Sequence, residues 1–263
     1  MKCTTKFYNI VKKKRIIFLS TPYDEKSVDM LEKFKVVAYK VASTDNANIP
    51  LLSYIAKKRK PMFISTAMAN MKEIQDLVNC VRQYIPNKFV LMQCTGNYPS
   101  KNSDSNLKVM LAYKKFFNCL YGYSDHTVDY INPIAATTLG ASVYEKHFTL
   151  NKKMPGPDHR MSLLPSELKK TIEIIRQTSL ALGVGKKEVL KSEKHNRLRL
   201  KKSLVSKNFI KKGTKLNKGM IAIKRPGTGL LPKRIYTISN YVTLNDIKAN
   251  SVIKLKMIKR IKE

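Results

Sequence analysis

The chain is poor in acidic residues and in cysteine, and it has no long apolar run. Each shortage excludes something. Only 18 Asp and Glu stand against 51 Lys and Arg in 263 residues, a formal net charge of +33. Such an imbalance raises the question of a nucleic-acid surface. However, the lysines are scattered through every predicted helix and turn, with no aromatic-interleaved basic stripe. Nucleic acid is therefore not the expected partner, and a lysine-rich compositional bias is the simpler account. No run of about 18 apolar residues occurs, which excludes a membrane-spanning helix of the usual kind. The first fifteen residues, MKCTTKFYNIVKKKR, show neither an apolar core nor a small-residue cleavage site, so no secretory signal is expected there. The four cysteines, Cys3, Cys80, Cys94 and Cys119, are widely spaced with no CxxC pair. Cys94 closes an apolar run, where a reduced, buried thiol is expected. These features fit a cytoplasmic protein.

What is present is ordinary globular texture, with 43% apolar residues, in a chain long enough for one large domain and one small one. Six short runs, rich in β-branched or aromatic residues and almost continuously apolar, lie at 15–20, 36–41, 61–66, 89–94, 119–124 and 142–147. That texture suits parallel strands buried on both faces. Amphipathic helices are predicted between and after them, at 25–34, 51–58, 71–84, 107–117, 132–139 and 165–182. Asn70 followed by Glu73 gives one of them a capping box. The alternation argues for an α/β fold with a parallel sheet. Polar residues gather where the strands end, the pattern of a barrel whose site is built from loops on one face. A closed barrel of this type has eight strands, and the 14 residues before Arg15 cannot hold two more βα units. The expectation is therefore a TIM-type (β/α) barrel domain over 1–184 lacking its first two units, a charged linker over 185–198 and a small, mostly β domain over 199–263. From Asn196 onward the chain holds 19 Lys and Arg against 2 Asp and Glu.

Three of the four histidines fall within residues 121–160. His126 and His147 each end an apolar run. If those runs are parallel neighbours, their imidazoles leave the same edge of the sheet, where α/β proteins bind ligands. Two imidazoles there could hold one divalent metal. The competing reading is a pair of hydrogen-bonded histidines that tie loops down.

Eight short motifs recur in order: STPYDE from Ser20, AYKVAS from Ala38, STAM from Ser65, QCTGNYP from Gln93, YSDHT from Tyr123, EKHFT from Glu145, PGPDH from Pro155 and KRPGTG from Lys224. Together they resemble the sialic acid synthase (N-acetylneuraminate synthase) family, and the resemblance spans nearly the whole chain. It implies a TIM barrel followed by an antifreeze-like (SAF) domain. It also implies a homodimer in which that domain reaches over the partner's active site. The implied reaction joins phosphoenolpyruvate to N-acetylmannosamine or a related N-acetylated amino sugar, giving a sialic-acid-type nonulosonate and phosphate. The implied metal is Mn²⁺ or Mg²⁺, held by His126 and His147, with Lys40 and Asp45 as further catalytic groups. Thr21, Lys40, Ser43 and Ser124 match phosphoenolpyruvate-holding positions, whereas Tyr98, Asp158 and Arg225 match sugar contacts.

Two departures accompany the resemblance. Gly96 stands where a polar residue is often found. The six runs match the family's third to eighth strands, so the chain reads as an N-terminally shortened synthase whose metal site is kept and whose substrate site is incomplete. Two alternatives to an active enzyme follow: a catalytically impaired remnant that binds metal or forms dimers, and a basic module for anionic polymers.

Overall fold

The computed structural model describes residues 2–261, with side chains from Thr5 onward, so the side chain of Cys3 lies outside the described residues. The chain separates into two compact units, residues 1–184 and 185–263. The first opens with helix α1 (Lys2–Lys13) and then alternates helices and strands. These are α2 (Glu25–Lys33), β1 (Tyr39–Val41), α3 (Ile49–Ala56), β2 (Met62–Ser65), α4 (Met71–Arg82), β3 (Phe89–Cys94), α5 (Val109–Phe117), β4 (Leu120–Asp125), α6 (Ile131–Thr138), β5 (Val143–Lys146) and α7 (Pro165–Leu182).

Local chemistry sets the helix starts. Asp24, Asn48 and Asn70 each accept a backbone N–H of the following turn through the side chain, supplying a partner that the first turn lacks. At α4 the capping box is complete, with the Glu73 carboxylate accepting the Asn70 N–H at 2.7 Å. Pro165 opens α7, where its missing N–H costs nothing. Asn118 ends α5 in the left-handed region at φ 43°, a conformation that asparagine adopts more readily than most residues.

The five strands form one parallel sheet in the order β1-β2-β3-β4-β5. It is a half-barrel, and among the described residues its edges do not close on each other. Tyr39, Val41, Met62, Ile64, Phe89, Leu91, Tyr121 and Tyr123 alternate along the strands and pack with α2 to α6 in one core. The intervening residues, among them Lys40, Ser65, Cys94, Ser124 and Glu145, point to the opposite face. Among the described residues no helix is long and apolar enough to cross a membrane.

The structure corrects the expected strand count from six to five. Residues 16–20 form no strand, and only one backbone bond, from Lys40 N–H to Ser20 O at 3.3 Å, joins them to β1. Ile16, Ile17 and Leu19 remain exposed, so the run has the composition of a strand without a ladder or a buried face. Only Phe18 packs inward, against the core and the rings of Phe7 and Tyr8.

Gly122 is demanded by close approach. A Cβ built there would lie 2.5 Å from the carbonyl oxygen of Val143, its partner on β5. Gly122→Ala is expected to push the two strands apart and to cost about 1–3 kcal/mol, as overpacking of a filled site does. Urea unfolding monitored by circular dichroism would measure it, and a wild-type midpoint would refute the clash.

The second unit contains α8 (Lys194–Leu200) and two antiparallel pairs. In the first, β6 (Ser203–Ser206) pairs with β7 (Ile221–Lys224); in the second, β8 (Tyr241–Thr243) pairs with β9 (Ile258–Arg260). Its own core comprises Leu204, Ile210, Leu216, Ile221, Ile238, Ile247, Ile253 and Ile258. A compact β unit there agrees with the strand-and-turn texture of this part of the chain.

Candidate active site

A cleft of about 480 Å³ opens at the carboxyl ends of the first unit's strands. Strand ends build it directly. Ser65 is the last residue of β2 and Cys94 of β3, while His126 and His147 immediately follow β4 and β5. Thr21, Lys40, Ser43, Tyr98, Ser124, His126 and His147 all line it.

One group in the cleft suits an anion. The Lys40 side chain is only 13% exposed, and its ammonium donates to Ser65 Oγ at 2.7 Å and to Val41 O at 2.9 Å. Burial pushes the Lys40 pKa down, and the Glu145 carboxylate, 3.6 Å from Nζ, opposes that shift. Ser43 Oγ accepts the Ala67 N–H at 3.0 Å, which leaves its own proton available to a ligand. Ser124 Oγ donates to Glu145 Oε1 at 2.7 Å.

The second group is aromatic. The ring centroids of His126 and His147 are 5.2 Å apart. Tyr98 lies against His126 at 4.1 Å and meets His147 edge-on at 5.8 Å. His126 Nδ1 sits 2.7 Å from the Thr95 carbonyl, to which it can only donate. In the neutral ring that leaves the lone pair on Nε2. Burial, aided by the neighbouring His147, lowers the His126 pKa and favours that neutral form.

The paired rings fit a shared ion. With metal–nitrogen bonds of about 2.0–2.2 Å, two imidazoles at adjacent positions of one ion have centroids roughly 4.5–5.5 Å apart. Among the described residues no group of three or more His, Cys, Asp and Glu side chains forms a complete metal cage. Were an ion held by the two rings, its remaining positions would fall to water or substrate oxygens.

The other expected residues fall elsewhere. Asp158 stands beside the cleft, its carboxylate 3.7 Å from His147 Nδ1. Asp45 does not line the cleft: its carboxylate accepts from Asn48 Nδ2 at 3.0 Å and from Thr44 Oγ1 at 3.3 Å. A short side chain on the turn after β1 is taken up by its own loop. Arg225 belongs to the second unit, where it is exposed. His159 is held by Thr149 Oγ1 at 2.7 Å, tying its loop.

Sequence reasoning missed Glu145, Ser65 and the layer beneath the histidines. There Lys146 Nζ lies 3.2 Å from Asp125 Oδ2, and the two side chains are 2% and 0% exposed. The motifs EKHFT and YSDHT contained the signal, since both residues sit directly before the histidines. Their pairing depends on strand register, which one sequence does not display.

The NeuB family matches residues 2–187, and an SAF domain matches residues 201–259. The chain belongs to the NeuB family. It is 41% identical to the N,N'-diacetyllegionaminic acid synthase of Campylobacter jejuni over 245 residues, covering 92% of this chain and 73% of the relative. It is 32% identical to the pseudaminic acid synthase of Helicobacter pylori, covering 96% of this chain and 74% of the relative. Among solved structures it resembles the N-acetylneuraminic acid (sialic acid) synthetase of Leptospira borgpetersenii in complex with citrate. That similarity has a TM-score of 0.68 at 31% identity and covers 73% of this chain and 68% of the other. These NeuB-family relatives are synthases of sialic-acid-type sugar acids, so both the family and the SAF domain expected from the motifs hold.

Proposed function

We propose that this chain condenses phosphoenolpyruvate with N-acetylmannosamine or a related N-acetylated amino sugar, yielding a nonulosonate and phosphate. The observation that carries the reading is the cleft itself, where a buried ammonium with surrounding hydroxyls stands beside two facing imidazoles, in a NeuB-family chain. In this reading Lys40 supplies charge, Thr21, Ser43 and Ser65 supply hydrogen bonds to the phosphate and carboxylate of phosphoenolpyruvate, and Ser124 joins them by turning its hydroxyl from Glu145 to the ligand. His126 and His147 would hold Mn²⁺ or Mg²⁺, which when bound supplies Lewis acidity toward the sugar's aldehyde oxygen. Tyr98 packs on both imidazoles and restricts the room left for the open-chain sugar, and Asp158 beside His147 is placed to accept from a sugar hydroxyl. The enol carbon attacks the aldehyde carbon, water adds at C2 of the former phosphoenolpyruvate, and the C–O bond to phosphate breaks. Glu145 lies between Lys40 and Ser124, where its carboxylate can take the proton that the water gives up.

Phosphate release from phosphoenolpyruvate tests the proposal. Release is expected only when the amino sugar and Mn²⁺ are both present. Metal binding with no phosphate release would instead favour a non-catalytic, metal-binding protein, and retention on nucleic acid at about 0.15 M salt with a steep salt slope would favour a polyanion-binding module. We further propose a homodimer in which Arg225 of one protomer serves the partner's cleft. Sedimentation at micromolar concentration checks it, and a monomer at all concentrations would overturn it.

A further inference from the structure

We infer that Asp125 and Lys146 form a buried clamp that sets the mutual placement of the two cleft imidazoles, acting as positioning residues rather than as ligands. This deepens the proposed function and rests on it for the role of the metal. Asp125 ends β4, Lys146 ends β5, and the two are direct partners in the parallel register. His126 and His147 are the next residues on each strand, so whatever fixes the strand ends fixes the base of both rings.

The clamp uses every polar atom it has. Asp125 Oδ1 accepts the Thr127 N–H at 2.8 Å and the Thr127 hydroxyl at 2.7 Å. Oδ2 accepts the Tyr144 hydroxyl and faces the Lys146 ammonium at 3.2 Å. Lys146 in turn donates to the Thr127 carbonyl. Asn132 Nδ2 on α6 donates to Thr127 Oγ1 at 3.1 Å and to Ser105 Oγ at 2.8 Å, joining the network to the loop before α5. The turn that carries His126 is thereby bonded on one side to its own strand's end and on the other to β5.

Asp125 is fully buried and the Lys146 side chain is 2% exposed at the floor of the cleft, so both charges are held out of water. A buried ion pair of this kind is seldom retained for stability alone, because desolvation offsets its attraction; specifying one arrangement is its better-supported use. Here the arrangement specified is the register of β4 against β5 at the point where the histidines emerge. The pair touches neither ring, since the His126 Nδ1–H goes to the Thr95 carbonyl; it acts on the ring positions through the strand ends that carry them.

The test compares the double variant Asp125→Leu/Lys146→Met, which leaves no uncompensated charge, with Lys146→Arg, which keeps the pair. The readouts are thermal unfolding and Mn²⁺ affinity by electron paramagnetic resonance titration. The double variant is expected to melt cooperatively yet bind Mn²⁺ about tenfold more weakly, the lower end of the loss that follows when a ligand's direct orienting partner is removed. Lys146→Arg is expected to stay close to wild type. Wild-type affinity in a folded double variant would overturn the inference. Should the double variant not fold, Tyr144→Phe removes one hydrogen bond from Asp125 and leaves both charges; a weakening of about threefold is expected, below the range for full removal, and no change would overturn it. If the wild type binds no Mn²⁺ the metal reading fails, and imidazole ¹⁵N spectra decide the clamp. Shifted ring resonances of both His126 and His147 in the variant would sustain it, and unchanged spectra would overturn it.

Discussion

Replacing His126 or His147 by alanine is expected to remove Mn²⁺ binding, lowering affinity by at least about 100-fold, because the two rings supply all the protein nitrogen donors the pair offers. The two variants should differ in stability. His126 is buried and its Nδ1–H is taken by the Thr95 carbonyl, so His126→Ala also removes the stronger of two donors to that half-buried carbonyl, leaving it the Cys94 thiol at 3.9 Å. A loss of about 1–3 kcal/mol is expected. His147 is about one-third exposed, and its ring faces an Asp158 carboxylate that is itself half exposed, so His147→Ala should melt close to wild type. Isothermal titration with Mn²⁺ alongside urea unfolding separates the effects. Unchanged Mn²⁺ affinity in either variant would mean that the histidines only tie their loops.

Lys40→Met should show the reverse pattern, with activity lost and stability kept or gained. The ammonium is buried beside hydroxyls, with one carboxylate 3.6 Å away. Burial lowers its pKa from the ordinary lysine value, so the folded protein is penalised for carrying this charge. Removing it relieves that penalty at neutral pH. The relief should shrink as pH rises from the depressed folded pKa toward the ordinary lysine value, because wild-type Lys40 then sheds its proton more readily in the folded state than in the unfolded one. Catalysis needs the charge: kcat/KM for phosphoenolpyruvate is expected to fall by about 10²–10³, the loss typical of one preorganised donor. Wild-type activity should also decline on the alkaline side below the pH at which an exposed lysine would titrate. A variant with full activity, or one losing activity and stability together, would show that Lys40 is structural.

Much of this architecture was legible from residue pattern. The apolar runs at 61–66, 89–94 and 119–124 suited buried strands and became β2, β3 and β4, and Asn70 with Glu73 marked a helix start that the structure keeps to the residue. The run at 15–20 misled for a physical reason: apolar composition creates the tendency to pair, but a ladder needs a neighbour along its length, and only Ser20 finds one. Seven of the expected cleft residues share one cleft because strand ends are separated by whole βα units and converge at one edge of the sheet. Asp45 stays off the cleft lining because a short carboxylate on a turn finds donors in its own loop.

By itself the sequence determined the alternation of strands and helices over 36–182, the capped start of α4, and the placing of His126 and His147 at the ends of two apolar runs, since these follow from side-chain periodicity and local hydrogen bonding. Only the tertiary structure decided that the first apolar run forms no ladder, that Glu145 bridges Lys40 and Ser124, and that Asp125 and Lys146 pair beneath the histidines. The reason is register: whether two side chains on different strands meet depends on how those strands slide past each other, and that is settled by the packing of the whole sheet and its helices.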